Sequence, residues 1–260
     1  YSISSAHGLG IGEVLDAVLE NLPDYSDDDE EGNLIRVAVV GKPNAGKSSL
    51  INRILGEERV IVSNIPGTTR DAIDTYATKD GQDFCFIDTA GMRKRGKITD
   101  NIERYSIMRS LTAVDRSDVV VIMIDAQDGV TEQDTKIAGY AHNKGKACIV
   151  AINKWDLIDK ETNTMDEYKK TVQDKLGFML YAPVVFISAL TGQRVTKLYE
   201  MIKFVADQAS QRISTGMLND VLNEAVAMVQ PPSDKGKRLK LYYMTQIKVK
   251  PPTFAVFVNR

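Results

Sequence analysis

Residues 41–48, with the sequence GKPNAGKS, constrain the fold of this chain more than any other stretch. They match the phosphate-binding loop pattern G-x-x-x-x-G-K-Ser/Thr at every fixed position. Such a loop follows a buried strand and opens a helix, so that main-chain N–H groups surround an anionic phosphate chain. Residues 34–40 form a short β-branched apolar run, and residues 47–55 carry apolar side chains at helical spacing. The sequence therefore predicts a nucleotide-phosphate site.

Strand-like and helix-like segments alternate from residue 34 to about residue 211. Amphipathic stretches separate apolar runs at residues 84–88, 119–126, 147–154 and 181–189. This alternation is typical of an α/β fold in which helices cover both faces of a parallel sheet. Residues 74–88 instead predict a hairpin, because Asp80-Gly81 supplies the chemistry of its turn. We expect a mostly parallel six-stranded sheet.

The composition limits the class of protein. The chain has 260 residues, of which 43% are apolar and 26% charged, and its formal net charge is -2. These values are ordinary for a globular protein and give no overall charge that favours nucleic acid or a membrane. Cys85 and Cys148 lie in apolar runs and are predicted to be buried free thiols. Without a signal-peptide pattern or an apolar run of about 18 residues, we expect a cytoplasmic protein with no membrane partner.

The residues before the α/β region differ from it in pattern. Residues 24–33 contain an acidic run that is typical of a solvated linker. Residues 1–23 resemble a later segment at an offset of 184 residues, which indicates an internal repeat. The aligned pairs include Ile3 with Ile187, Ser4 with Ser188, and Gly8 with Gly192. Because the chain also begins at Tyr1 rather than at methionine, we expect residues 1–23 to be the tail of a preceding copy of the domain.

Residues 212–260 predict a second domain of another class. Residues 216–229 have the apolar spacing of a helix, and two extended runs follow at 240–249 and 253–258. This helix-then-strand order is α+β rather than α/β. The segment stops abruptly at Arg260, so we expect an incomplete domain.

Two further motifs fit a metal ion and a terminal phosphate. PGTTRD (residues 66–71) offers a threonine whose hydroxyl can bind magnesium and whose amide can bond the terminal phosphate. We assign Thr69 to this role, with Thr68 as the alternative. DTAG (residues 88–91) ends an apolar strand, where Asp88 can hold magnesium through water and the Gly91 amide can bond the phosphate.

Two other motifs fit the base. NKWD (residues 153–156) follows an apolar strand and places a carboxylate at Asp156, which can accept from guanine N1–H and the 2-amino group. Losing a hydrogen bond to a charged group costs roughly 1.5–3 kcal/mol, which is enough to exclude adenine. Asn153 would orient the loop and contact the base edge, and the Lys154 stem would cover the ring. Ser188-Ala189 would present the Ala189 amide to the guanine oxygen.

These motifs together give the predicted site residues. The residues expected to contact the nucleotide are Gly41, Lys42, Pro43, Asn44, Ala45, Gly46, Lys47, Ser48, Ser49, Thr69, Asp88, Thr89, Ala90, Gly91, Met92, Asn153, Lys154, Trp155, Asp156, Ser188, Ala189 and Leu190. The predicted magnesium ligands are Ser48, Thr69 and Asp88. The residues expected to act in catalysis are Lys47, Asn44, Thr69 and Gly91.

Over essentially its full length the chain resembles the Der (EngA) family, whose members join two G domains by an acidic linker and end in a KH-like domain. The stretches that carry the resemblance are GKPNAGKS, PGTTRDAID, DTAGMRKRGK, NKWD and KPPTFAVFVN. The resemblance implies the tail of a first G domain at 1–23, the linker at 24–33, a P-loop G domain at 34–211 and part of a KH-like domain at 212–260.

The resemblance also implies a function. It implies binding of GTP and GDP with Mg²⁺ and hydrolysis of GTP as a switch in assembly of the large ribosomal subunit. The implied partners are the large subunit or its ribosomal RNA and the preceding G domain of the same full-length chain. Met92 stands where Ras-like enzymes have a water-positioning glutamine, so hydrolysis should be slow or use another group. Asn44 is the candidate for this other group, because relatives with this asparagine bind K⁺ beside the phosphates.

Two other functions share these motifs. A nucleotide-gated module that binds RNA or the ribosome, with negligible hydrolysis, is compatible with Met92. A GTPase that assists tRNA modification has the same G-domain motifs, but the acidic linker, the repeated tail and KPPTFAVFVN disfavour it.

Overall fold

The computed structural model describes residues 14, 17, 34–56, 61–62, 74–89, 102–234 and 237–259. The described residues fall into two compact units, one within Glu31–Gln208 and one that comprises the described residues of Tyr1–Glu30 and Ala209–Arg260. Several sequence predictions lie outside the described residues. They are those for the linker at 24–33, for Thr68 and Thr69, for Ala90, Gly91 and Met92, and for residues 1–23 apart from the helical positions Val14 and Ala17.

The larger unit alternates strands and helices. Its strands are β1 (Leu34–Val40), β2 (Ile61–Val62), β3 (Thr75–Lys79), β4 (Gln82–Phe86), β5 (Val119–Asp125), β6 (Ala147–Asn153) and β7 (Val184–Phe186). Its helices are α1 (Lys47–Leu55), α2 (Ile102–Arg116), α3 (Glu132–Asn143), α4 (Thr164–Lys175) and α5 (Val195–Ala209). Short 3-10 turns occupy Trp155–Leu157 and Gly177–Met179.

All seven strands form one sheet with the order β2-β3-β4-β1-β5-β6-β7. The neighbours from β4 to β7 pair in parallel, whereas β3 pairs antiparallel with both β2 and β4. The predicted mostly parallel sheet of six strands is confirmed, and the two-residue β2 extends its edge. The predicted hairpin is also present, because Asp80 and Gly81 adopt positive φ values of 51° and 77° between β3 and β4.

The sheet is buried on both faces, which explains why its central strands are almost wholly apolar. Every residue of β5 is buried. Along β1, Val37 and Val39 join an apolar cluster with α1 and α5, whereas Ala38 and Val40 join a second cluster with α2 and α3. Since successive strand residues point to opposite faces, one apolar run supplies both clusters.

Parallel pairing brings the carboxyl ends of five strands to one edge of the sheet. The loops that leave β1, β4, β5, β6 and β7 therefore start from this edge. Ligands of open α/β sheets bind outside such carboxyl ends. The motifs predicted from the sequence follow β1, β4, β6 and β7, so the topology gathers them at one edge.

The smaller unit is α+β, as predicted. It contains α6 (Thr215–Met228), β8 (Ser233–Asp234), β9 (Lys237–Arg238), β10 (Leu241–Lys248) and β11 (Thr253–Val258). Strands β10 and β11 pair antiparallel, as do β8 and β9. Asn219 of α6 exchanges two hydrogen bonds with the main chain of Met244 in β10, at 3.2 and 2.8 Å. This side chain thereby fixes the helix against the strand.

Within the described part of the chain, none of the helices combines the length and the apolar character that crossing a bilayer demands.

Candidate nucleotide-binding site

The loop between β1 and α1 depends on backbone conformations that favour glycine. Gly41 and Gly46 have φ values of 142° and 97°, and Asn44 between them has a φ of 63°. A Cβ at Gly41 would overlap the Met123 carbonyl of β5, and one at Gly46 would overlap the Asn153 side chain. Both glycines are therefore required by conformation and by close contact. The loop is held tightly against the ends of β5 and β6.

Lys47 places a positive charge on this loop. Its Nζ donates to the carbonyl oxygens of Gly41 at 2.7 Å and Lys42 at 2.6 Å, so the side chain folds back over the loop. Helix α1 begins at Lys47 with no acidic residue in its first turn. The positive end of the helix dipole and the ammonium group therefore act together, and the loop is suited to an anion.

Lys42 connects the phosphate-binding loop to the loop that leaves β5. Its Nζ lies 2.6 Å from Asp128 Oδ2. The hydrogen bond from Lys42, together with its charge, lowers the pKa of Asp128 below the ordinary value. Asp128 was not among the predicted residues. It lies in an exposed loop that is distant in sequence from Lys42, so no sequence motif marks it as a site residue.

Asp88, a predicted magnesium ligand, has its main chain fixed by Asp74. Asp88 has a φ of 56°, and its N–H donates to Asp74 Oδ1 at 2.9 Å. The Asp74 carboxylate also accepts from Arg116 at 2.5 Å, and only 4% of its side chain is exposed. Asp74 therefore stabilises the unusual conformation of Asp88. Neither Asp74 nor Arg116 belongs to a motif from which a site residue is predicted.

Thr89 follows Asp88 and points into the protein. Its hydroxyl lies 2.5 Å from the Thr75 hydroxyl at the start of β3, and both residues are buried. The side chain of Thr89 therefore supports the strand ends, and a contact of this residue with the nucleotide stays a prediction.

The residues at the ends of β1 and β4 fit a magnesium ion by their chemistry. Ser48 offers a hydroxyl in the first turn of α1, and Asp88 offers a carboxylate at the end of the neighbouring parallel strand. Magnesium prefers a small number of such oxygen ligands and keeps several waters. These two groups are a suitable donor pair for the ion.

Asn153 joins the phosphate-binding loop to the loop after β7. Its Nδ2 donates to the Ala45 carbonyl at 2.8 Å, and its Oδ1 accepts from the Ala189 N–H at 2.9 Å. The residue is only 2% exposed. The structure thus supports the predicted role of Asn153 in orienting the loops. It also shows that the Ala189 amide, predicted to contact a guanine oxygen, donates to Asn153.

Asp156 has one carboxylate oxygen, Oδ1, that is buried and has no hydrogen-bond partner among the described residues. A buried carboxylate oxygen without a donor is costly, so this atom is suited to a ligand that brings N–H groups. The preceding Lys154 adopts a φ of 61°, and its ammonium group pairs with Asp125 at the end of β5. That ion pair fixes the Lys154 stem beside Asp156.

Trp155 lies in the core beneath this loop. It is 2% exposed and packs against Phe186 and Tyr168, with ring centroids 4.4 and 5.4 Å away. The side chain of Trp155 therefore supports the loop from below, and a contact of this residue with the nucleotide stays a prediction.

Arg53 of α1 holds the loop that follows β7. Its Nε donates to the Ala189 carbonyl at 3.4 Å, and a terminal nitrogen donates to the Leu190 carbonyl. Ser188 is fully buried, and its Oγ accepts from the Thr191 N–H at 3.1 Å. Ser188 therefore has a structural role in the turn. No local sequence pattern marks Arg53 for this role.

The residues that sequence reasoning missed share one property: each binds a partner that is distant in the chain. Arg53 lies 136 residues from Ala189, and Arg116 lies 42 residues from Asp74. No local pattern marks such pairs. Asp125 could have been predicted, because it is a carboxylate at the end of an apolar strand, which is the pattern that identified Asp88.

Comparisons with known proteins match two regions of the chain. Residues 36–154 match the family described as 50S ribosome-binding GTPase, and residues 212–260 match the KH-domain-like C-terminal region of EngA bacterial GTPase enzymes. Among solved structures, Era in complex with MgGDPNP and nucleotides 1506–1542 of 16S ribosomal RNA is 28% identical. Its TM-score is 0.50, and the match covers 66% of this chain and 57% of that chain.

The curated relatives are closer in sequence. GTPase Der of Ruminiclostridium cellulolyticum is 74% identical over 257 residues, which are 99% of this chain and 58% of the relative. GTPase Der of Acetivibrio thermocellus is 67% identical over 258 residues, which are 99% of this chain and 59% of the relative. The chain thus spans less than two thirds of the length of these relatives. With a P-loop G domain, a KH-like region and this identity over nearly every residue, the chain is similar to the corresponding part of the GTPases of the Der family.

Proposed function

We propose that this chain binds GTP and GDP with Mg²⁺ and hydrolyses GTP. The observation that carries the proposal is the buried, unpartnered Oδ1 of Asp156, beside a loop that Asn153 ties to the phosphate-binding loop. Guanine brings two adjacent N–H donors to such a carboxylate, whereas adenine brings no such pair. Because a hydrogen bond to a charged group is worth roughly 1.5–3 kcal/mol, Asp156 alone would favour guanine by one to two orders of magnitude.

The phosphate side supplies positive potential and oxygen ligands. Lys47 and the main-chain N–H groups of the loop would bind the phosphates, and Ser48 and Asp88 would hold the metal ion. Thr69 is a third proposed ligand, and the Gly91 amide is a proposed donor to the terminal phosphate. When bound, magnesium neutralises charge on the phosphates. The residues of the chain bind, orient and exclude water around the phosphoryl group.

We also propose that Asn44 helps to bind K⁺ beside the phosphates, which would compensate for Met92. Asn44 is exposed at the tip of the loop and holds a φ of 63°, so its amide is available to a ligand. A cation there would stabilise the negative charge of the transition state. Turnover should be faster in KCl than in NaCl at matched ionic strength, and equal turnover in the two salts contradicts the proposal.

The cellular role we propose is a switch in assembly of the large ribosomal subunit in the cytoplasm. The match to the 50S ribosome-binding GTPase family supports it. The proposed partners are the large subunit or its ribosomal RNA and a preceding G domain of the full-length chain. GTP would order the loops around Thr69 and Gly91, and hydrolysis would release them.

Release of phosphate over many turnovers tests the function. The chain should release phosphate from GTP but not from ATP, and large ribosomal subunits should change the rate. Lys47→Ala, which removes the charge on the phosphate loop, should abolish release. Nucleotide binding with no release, with or without subunits, would instead identify a nucleotide-gated binding module.

A further inference from the structure

The proposed magnesium ligand Asp88 lies just beyond the last main-chain pair of its strand. The ladder between β3 and β4 ends at Phe86. The next N–H, that of Ile87, donates to the Val37 carbonyl of β1 at 3.0 Å. The N–H of Asp88 instead donates to Asp74 Oδ1 at 2.9 Å. At this position a carboxylate side chain therefore takes the place of a strand partner.

Asp74 uses its two carboxylate oxygens for two different partners. While Oδ1 accepts from the Asp88 N–H, Oδ2 accepts from Arg116 Nη2 at 2.5 Å. Only 4% of the Asp74 side chain is exposed. A buried carboxylate needs a counter-charge and hydrogen bonds, and Arg116 supplies the charge together with one of the bonds. Without Arg116, solvation would draw the carboxylate toward water and away from the Asp88 N–H.

Arg116 is a fixed anchor, because the main chain on both sides of it is held in place. It is the last residue of α2. The Nζ of Lys146 donates to the carbonyls of Asp115 at 3.0 Å and Ser117 at 2.6 Å. The Asp118 N–H then donates to a carbonyl of β1 at 2.9 Å. The base of the Arg116 side chain is thereby fixed relative to the sheet.

Asp88 needs this support because its backbone conformation is unfavourable by itself. Its φ of 56° lies in the left-handed region, where a residue with a Cβ is strained. If the bond to Asp74 is lost, Asp88 can relax toward ordinary φ values, which redirects its carboxylate. We infer that Arg116 is a positioning residue for the magnesium site, which acts through Asp74 to hold Asp88 in the conformation that binds the ion.

This inference rests on the proposed magnesium site and adds to it a residue that does not touch the ion. Ser48 and Asp88 would contact the metal, whereas Arg116 acts only through Asp74. A change at Arg116 should therefore raise the Mg²⁺ concentration that the site requires and leave nucleotide binding without metal unchanged. A residue that merely stabilised the fold would weaken nucleotide binding under both conditions.

The test titrates Mg²⁺ into the 260-residue chain with a fluorescent, non-hydrolysable GTP analogue, so that binding is read without turnover. In Arg116→Gln, the half-saturating Mg²⁺ concentration should rise about three- to tenfold, because the Asp88 N–H loses its hydrogen bond. Affinity for the analogue in EDTA should stay near that of the wild type. Arg109→Gln, at an exposed position of the same helix, is the matched control and should change neither quantity.

A rescue experiment separates the role of the charge from general stability. Asp74→Asn keeps an oxygen that can accept from the Asp88 N–H but removes the buried charge. In the double variant Asp74→Asn/Arg116→Gln, two neutral amides replace the ion pair, so most of the metal affinity lost in Arg116→Gln should return. Arg116→Lys keeps the charge and should lose less than Arg116→Gln.

Three results would overturn the inference. They are an unchanged Mg²⁺ requirement in Arg116→Gln, an equal loss of analogue binding with and without Mg²⁺, and a double variant no better than Arg116→Gln. A wild-type chain whose binding of the analogue does not respond to Mg²⁺ would instead refute the proposed magnesium site.

Discussion

The base side and the phosphate side of the site are built in different ways. On the base side, Asn153, Asp125 and Arg53 reach from separate elements and fix two loops through side-chain hydrogen bonds. On the phosphate side, the loop conformation comes from consecutive residues, with glycines at positive φ and Lys47 bonded to its own loop. The base side depends on distant contacts, and the phosphate side depends on local backbone chemistry. Substitutions should therefore affect the two sides differently.

The largest effect should follow Asn153→Ala, because this residue connects the two sides. It would leave the buried Ala45 carbonyl and Ala189 N–H unpaired, and each unpaired group costs roughly 1–3 kcal/mol. We expect GDP affinity to fall at least about 30-fold on that basis. Calorimetric titration measures the loss. Asn163→Ala, at an exposed helix start without a side-chain cap, is the matched control and should bind normally. A loss below threefold would mean that the two sides are independent.

Asp156→Asn should alter the base side alone. An amide cannot accept from both guanine donors, so GDP affinity should fall by about one to two orders of magnitude. Xanthine has a carbonyl where guanine has the 2-amino group, so the new amide N–H should improve XDP binding. Competition between GDP and XDP measures the preference, which should reverse. Parallel losses for both nucleotides would show that Asp156 acts by supporting the loop rather than by contacting the base.

Asp74→Ala should affect the metal and leave the base side unchanged. It removes the acceptor that holds the Asp88 N–H and the partner of Arg116. Because a net hydrogen bond contributes about 0.5–1.5 kcal/mol, the Mg²⁺ concentration for half-maximal GTP turnover should rise roughly three- to tenfold. GDP affinity without magnesium should stay near that of the wild type. Asp159→Ala, at an exposed loop position, should change neither quantity. An unchanged magnesium requirement would contradict the role given to Asp74.

The smallest effect should come from the exposed Lys42–Asp128 pair, which links the phosphate loop to the loop after β5. The hydrogen bond from Lys42 lowers the pKa of Asp128, so the pair is intact at neutral pH and is lost as the pH falls through that lowered pKa. Following the Asp128 carboxyl by NMR, we expect Lys42→Met to raise its pKa. High salt should reduce the difference, because exposed pairs are screened. An identical pKa in both proteins would show that the pair does not form in solution.

The burial of the two thiols was predicted correctly from the local sequence. Cys85 and Cys148 were expected to be buried, and both are. Burial raises the pKa of Cys148 to about 11 and also raises that of Cys85. Each lies in an apolar run of a central strand, where helices cover the sheet. An apolar run of strand length therefore predicted the chemical environment as well as the fold.

Trp155, Thr89 and Ala189 show what a motif alone does not determine. Each lies inside or beside a binding motif, yet each directs the predicted group into the protein. A motif gives the position of a residue along the chain. The direction of its side chain or amide depends on neighbours such as Phe186 and Thr75, which belong to other strands. Membership of a motif therefore does not establish contact with a ligand.

The sequence by itself determined the α/β sheet, the phosphate-binding loop and the α+β character of the smaller unit. These features rest on apolar periodicity, on glycine at positive φ and on turn residues, all of which act over a few consecutive positions. Only the tertiary structure decided how Asn153 joins two loops, how Asp74 fixes Asp88 and how Arg53 holds the turn after β7. Hydrogen bonds between distant residues are made by packing of the whole sheet, so no local pattern contains them.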